Sequence, residues 1–181
     1  MYSKAKIAGH PLHPMLVAFP IAFYVATLAG YGVYALTLDA FWFRMGLVAN
    51  VAAVATAVLA AIPGFIDWAF GVPRGTPAKA TGLMHMLLQV GALTLFTVDA
   101  GLQWGQWASA VPHVGVSVIL AGVGVVLTTA GGALGWKMVG THHVGVDLTV
   151  AQERLEPGAN ASEPGPRPVA GGQRAQGASV A

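Results

Sequence analysis

Histidine is the residue type in this chain best suited to bind a metal or exchange protons, and the sequence holds six. Two lie in Gly-His-Pro-Leu-His-Pro at residues 9–14, one is His85, and two are His142 and His143. Neutral imidazole is a common metal ligand, and it gains or loses a proton near physiological pH. Each cluster stands where an apolar segment begins or ends, and such polar groups are costly in lipid. The histidines are therefore the strongest indication of function.

The composition predicts a membrane protein. Of the 181 residues, 55% are hydrophobic and only 9% are charged, whereas soluble domains carry about 25% charged residues. The absence of cysteine excludes disulfides, thiolate metal sites and cysteine-bound iron–sulfur clusters. A net charge of +2 without a basic patch that includes aromatic residues gives no support for nucleic-acid binding.

Four apolar segments are long enough to cross a bilayer, which needs about 20 residues. Short connections between them predict an all-α, up-and-down bundle of four transmembrane helices. The predicted spans are residues 16–36, 45–66, 83–102 and 114–136. The first is interpreted as a retained span and not as a cleaved signal peptide. Residues 1–149 form the predicted membrane domain, and the Pro/Gly/Ala-rich residues 150–181 a disordered tail.

An up-and-down topology places most of the histidines on one side of the membrane. That side receives His10, His13, Asp67, His85, His142 and His143, whereas the other receives Asp39, Asp99 and His113. The histidine side also carries most of the basic residues near span ends: Lys4, Lys6, Arg74, Lys79 and Lys137, against Arg44 alone. The positive-inside rule therefore predicts that both termini are cytoplasmic.

These residues predict a cofactor site on the cytoplasmic side. The expected ligands are His10, His13, His85 and His142. His143 is left out because adjacent residues such as His142 and His143 cannot both face one point. If the cofactor is a metal ion without a haem, its expected ligands are His10, His13 and His85. Gln89, four residues after His85 on the same helix face, is expected to orient its imidazole. Asp67 is expected either to accept a hydrogen bond from a ligand histidine or simply to mark the membrane boundary.

The sequence resembles a bacterial membrane-protein family known as domain of unknown function 2231. The resemblance lies in Gly-His-Pro-Leu-His-Pro at 9–14, Ile-Pro-Gly-Phe-Ile-Asp-Trp at 62–68, His85, and His-His-Val-Gly-Val at 142–146, and it covers about residues 7–148. It implies a four-helix membrane domain whose histidines are haem or metal ligands. Some relatives are fused to Rieske domains, which implies electron transfer. Many relatives place a histidine near Lys137, so this chain departs from the pattern there.

Three functional hypotheses remain open at this point. The first is an inner-membrane protein that binds b-type haem, or copper, iron or zinc through imidazoles, and transfers electrons to a redox partner. The second is a small transport or proton-handling protein. The third is a cofactor-free accessory protein that binds a membrane partner, or forms a homo-oligomer, through helix faces of small residues. No nucleophile–base motif or phosphate loop points to an enzyme.

Overall fold

A computed structural model describes residues 3–146 and residue 149. A short antiparallel hairpin, β1 (Lys6–Ile7) and β2 (His10–Pro11), leads into the helix α1 (Leu12–Leu16). The longer helices are α2 (Ala18–Thr37), α3 (Ala40–Ile66), α4 (Pro77–Trp104) and α5 (Gly115–Gly140). A π-helical turn, Asp67–Gly71, follows α3. The predicted tail, residues 150–181, lies outside the described residues.

Four helical segments are long and apolar enough to cross a membrane, as the sequence predicts: Leu12–Thr37, Ala40–Gly71, Pro77–Trp104 and Gly115–Gly140. Many large apolar side chains face outward along them, including Leu36, Phe70 and Trp136. An outward apolar surface of this extent is suited to lipid. The fold is therefore a four-helix membrane domain.

The third span begins six residues before the predicted start at Leu83, at Pro77. Thr76 caps this helix, because its side chain accepts a hydrogen bond from the Lys79 backbone amide. Proline is favoured at the first helical position, where its missing N–H costs nothing. Residues 77–82 are too polar to be assigned to a span by hydropathy, but a capping threonine before a proline is a strong signal for the start of a helix. The third span is consequently a helix of 28 residues.

The four helices pack in a ring, with α2 and α4 each lying between α3 and α5. Helices α2 and α3 approach closely, since a Cβ on Gly30 would lie 2.7 Å from the Gly46 Cα. Small residues at such crossings are typical of membrane helix pairs. Two buried apolar clusters fill the interior. One contains Tyr31, Tyr34, Phe43, Leu47 and Val114, and the other Tyr24, Ala53, Phe96 and Ala121.

We call the end of the bundle that carries α1 and the π-helical turn the histidine end. The end that carries the 38–39 and 105–114 connections is the opposite end. At the histidine end, Asp67 contacts the N-terminal segment, and Thr81 of α4 contacts His142 after α5. At the opposite end, the Tyr34 hydroxyl donates to the Pro112 carbonyl. The helix ends thus meet as an up-and-down topology requires.

Candidate functional site: a histidine pair between the helices

His13 extends from α1 toward α3. Its Nδ1 lies 2.8 Å from the carbonyl oxygen of Ala60. Because a carbonyl oxygen can only accept a hydrogen bond, Nδ1 carries a proton in this contact, and Nε2 is the nitrogen that has the lone pair when the ring is neutral. Gly64 makes room for the ring, since a Cβ there would lie 2.6 Å from His13 Nδ1. The segment 60–64 of α3 therefore both holds and accommodates this imidazole.

His85 is held in the same manner by a different helix. Its Nδ1 lies 2.7 Å from the carbonyl oxygen of Gly131 on α5. Nδ1 is again the donor, and Nε2 is again the nitrogen with a free lone pair. Gly135 lies one turn further along α5 and borders the ring. A Cβ at residue 135 would lie 3.2 Å from His85 Cε1, which is tighter than most real contacts. A backbone carbonyl that fixes the tautomer is the usual support of a metal-binding histidine.

The two imidazoles lie next to each other inside the bundle. Their ring centroids are 6.1 Å apart and their planes are nearly perpendicular, at 88°. His13 is hydrogen-bonded to α3 and His85 to α5, so α1, α3, α4 and α5 all contribute to the position of this pair. We refer to these two residues as the histidine pair.

A cavity of about 600 Å³ adjoins the histidine pair. Its walls come from every spanning helix and include Pro20, Tyr24, Gly64, Trp68, Gln89, Leu93, Thr128 and Gly132. The Tyr24 hydroxyl and Thr128 Oγ1 are buried and have no hydrogen-bond partner among the described residues. Buried polar atoms are nearly always satisfied in folded proteins. The cavity is thus of a size and polarity that suit an occupant.

The other two histidines that the sequence proposes as ligands lie elsewhere. His10 is exposed on β2, where its Nδ1 is 2.9 Å from the Ala8 carbonyl oxygen. His142 is half-buried, with Nε2 3.5 Å from Thr81 Oγ1, one helical turn before His85. The side chain of Lys137 is exposed to the exterior of the bundle. The structure therefore brings together His13 and His85 and keeps His10 and His142 apart from them.

The two expected supporting residues have other partners. Asp67 accepts hydrogen bonds from the Lys4 and Ala5 backbone amides at 2.6 and 2.9 Å and from the Ser3 hydroxyl at 2.8 Å. It therefore anchors the N-terminal segment that precedes His13. Gln89 donates to the Thr128 carbonyl at 3.3 Å. The Gly131 carbonyl, and not Gln89, is the group that orients His85.

Trp68 lines one side of the cavity and is held there by Lys79 of α4. The indole Nε1 donates to the Lys79 carbonyl at 3.1 Å, and the Lys79 ammonium donates to the Trp68 carbonyl. The same ammonium lies 4.0 Å from the centroid of the indole ring, within cation–π range. The π-helical turn is thereby fastened to the start of α4.

A second polar pair, which sequence reasoning missed, lies toward the opposite end. Asn50 of α3 donates from Nδ2 to Asp99 Oδ2 of α4 at 2.8 Å, and both side chains are fully buried. An asparagine in the middle of an apolar segment was the available signal, since polar residues inside spans usually face the bundle interior. Asn50 and Asp99 are 49 residues apart in the sequence, so the sequence alone does not indicate that they form a pair.

These features define a class: a four-helix membrane protein with a half-buried pair of histidines beside a cavity lined by all four spans. A family model described as a predicted membrane protein, DUF2231, matches residues 9–148. The chain belongs to this family, and the resemblance seen in the sequence is confirmed. Comparisons with curated proteins and with solved structures find no match.

Proposed function

We propose that the chain binds one b-type haem through His13 and His85 and takes part in electron transfer at the membrane. The observation that carries this proposal is the shared tautomer of the histidine pair. In both residues Nδ1 donates to a backbone carbonyl, and Nε2 is left as the basic nitrogen. Haem iron is commonly held by neutral imidazole ligands.

The separation of the rings fits two ligands of one ion. Bonds from imidazole nitrogen to a metal are about 2 Å long, so two imidazoles on opposite sides of an ion have centroids about 6 Å apart. The centroids of His13 and His85 are 6.1 Å apart. His13 of α1 and His85 of α4 would therefore both be able to reach one iron atom.

Haem suits this site better than a small ion. Among residues 3–146 and 149, no group of three histidine, cysteine or acidic side chains is placed to hold a metal. An isolated zinc or copper ion normally needs three or four protein ligands. A haem iron takes four nitrogens from the macrocycle, so two histidines are enough. The cavity of about 600 Å³ lies within the range of cofactor pockets, roughly 300–1,000 Å³.

A haem bound here would supply one-electron chemistry, and the protein would supply ligand geometry and a dry environment. The carbonyls of Ala60 and Gly131 hold the imidazoles, and the apolar walls limit access of water. Electron transfer requires a redox partner. A partner that binds at the histidine end would be nearest to the histidine pair. The exposed small-residue and apolar faces are available for lipid and for self-association into a homo-oligomer.

The excess of lysine and arginine at the histidine end supports an orientation with both termini in the cytoplasm of a bacterial inner membrane. Lys4, Arg74 and Lys79 lie at this end, whereas Arg44 lies near the opposite end. Basic residues near span ends are retained on the cytoplasmic side. In this orientation the redox partner would be a cytoplasmic or membrane-bound electron carrier.

The test is the haem content of protein purified from haem-replete cells, measured by absorbance, for the wild type and four variants. We expect about one haem per chain in the wild type, and a loss of more than about tenfold in His13→Ala and in His85→Ala. His10→Ala and His142→Ala are matched controls, because both histidines lie outside the pair. A haem-free wild type, or equal losses in His10→Ala and His13→Ala, would overturn the proposal.

A further inference from the structure

Asn50 and Asp99 form a polar site that the proposed function does not use. Asp99 follows His85 by 14 residues on α4, which is about 21 Å along the helix at about 1.5 Å per residue. Both side chains are 0% exposed, and Asn50 Nδ2 donates to Asp99 Oδ2 at 2.8 Å. An ionisable side chain at such depth in a membrane bundle is costly and usually has a function.

The remaining oxygen atoms of this pair raise a hydrogen-bond problem. Asn50 Oδ1, Asp99 Oδ1 and the hydroxyl of the neighbouring Tyr31 are buried, and none of the three has a hydrogen-bond partner among the described residues. When Asp99 is ionised, both side-chain oxygens can only accept, and the single Tyr31 hydroxyl can donate to one of them at most. A single proton on Asp99 Oδ1 turns this atom into a donor. The acid and the amide can then exchange two hydrogen bonds, in which each group both donates and accepts.

The side chains that face Asp99 from the other helices supply no positive charge. The neighbouring side chains from the other helices are Tyr31 on α2, Asn50 on α3 and Ser117 on α5, all uncharged in their ordinary states. Tyr31, the one titratable neighbour among them, is itself fully buried. A buried carboxylate is tolerated when a cation or several donors compensate its charge. One amide donor and neutral hydroxyls are weaker compensation than a bound proton.

Polar side chains adjoin the pair on one side, and an apolar cluster adjoins it on the other. Toward the opposite end, Ser117 Oγ accepts from Gln103 Nε2 at 2.5 Å, and Gln103 Oε1 accepts from the half-buried Gln106 at 2.9 Å. Toward the histidine pair, Phe96 stacks on Tyr24 with ring centroids 3.9 Å apart, within an apolar cluster. Polar side chains therefore lead from Asp99 to the 105–114 connection, whereas stacked aromatic rings separate it from the cavity.

We propose that Asp99 and Asn50 form a buried proton-binding site that exchanges with water at the opposite end of the bundle. Its ligand is one proton, held on Asp99 Oδ1 and shared with Asn50 Oδ1. This site is independent of haem: its residues lie outside the cavity walls, and it keeps its occupant whether or not the histidine pair binds a metal.

Infrared spectroscopy of the full chain tests this proposal, with aspartate labelled with carbon-13 at the side-chain carboxyl carbon. At neutral pH we expect the C=O stretch of a protonated carboxylic acid, shifted by the label and absent in Asp99→Asn. Asn50→Leu should retain this band at a higher frequency, because the carbonyl loses its amide donor. The labelled wild type alone identifies a protonated aspartate, so the test does not depend on the folding of either variant.

The access route is tested by the rate at which this band shifts in deuterated water. Gln103→Leu should slow the exchange several-fold, whereas the matched Gln89→Leu, on the cavity side of the same helix, should leave it unchanged. The absence of a protonated-aspartate band from the labelled wild type at neutral pH would overturn the proton site. If the band of the protonated acid appeared only after sodium was removed, the pair would be a cation site and not a proton site. Equal exchange in the two glutamine variants would refute the access route.

Discussion

Replacement of Gly64 by alanine tests the link between glycine placement and the position of His13. A Cβ at residue 64 would lie 2.6 Å from His13 Nδ1 and 2.8 Å from its Cε1, closer than real contacts allow. The ring must therefore move away from α3 and lose its hydrogen bond to the Ala60 carbonyl. Overpacking of this kind costs about 1–3 kcal/mol, and the lost hydrogen bond about 1 kcal/mol.

Gly122→Ala is the matched control, because a Cβ at residue 122 would meet nothing within 4 Å. Both substitutions gain the same intrinsic helix preference of alanine over glycine, about 1 kcal/mol. This gain cancels in the comparison. Gly64→Ala should therefore have a free energy of unfolding about 2–4 kcal/mol below that of Gly122→Ala.

The assay is equilibrium unfolding of both variants in the same detergent, followed by circular dichroism, with haem content measured in parallel. We expect Gly64→Ala to be less stable and also to contain less haem, because the displaced imidazole no longer faces His85. Equal stabilities for Gly64→Ala and Gly122→Ala would refute the assigned contact between Gly64 and His13.

Three other substitutions probe the cavity and its supports. Gly132→Ala meets nothing within 4 Å but adds a methyl group to the cavity wall, so it should preserve stability of the haem-free protein and lower haem content. Asp67→Asn removes the charge that holds the N-terminal amides and should speed deuterium exchange in residues 3–11, measured by mass spectrometry. Lys79→Met removes the ammonium beside the Trp68 ring and should change tryptophan fluorescence, with a stability loss of about 0.5–2 kcal/mol.

The fold was largely predictable because lipid imposes a simple length and composition rule on spanning helices. The four spans follow from apolar segments alone, and their order determines which ends meet. The start of α4 was not predicted, because a capping Thr76 and Pro77 extend the helix into a less apolar segment. Hydropathy measures transfer into lipid and does not register a helix cap.

The candidate site was predictable only at the level of which side chains share one end. Topology places His13 and His85 at the same end, and the structure brings their rings to 6.1 Å. The topology could not indicate that His10 turns back to the Ala8 carbonyl within the hairpin. The partners of His13 and His85 are backbone carbonyls of Ala60 and Gly131, which carry no side-chain signal. The pairing of distant polar residues likewise depends on helix rotation, which an apolar sequence does not specify.

The central claim, a haem held between His13 and His85, is tested most directly by low-temperature electron paramagnetic resonance of the oxidised wild-type protein. Two imidazole ligands, one from His13 and one from His85, would give a ferric haem a low-spin signal. We predict this signal in the wild type. A haem-free protein, a high-spin signal, or the same low-spin signal in both His13→Ala and His85→Ala would contradict the claim.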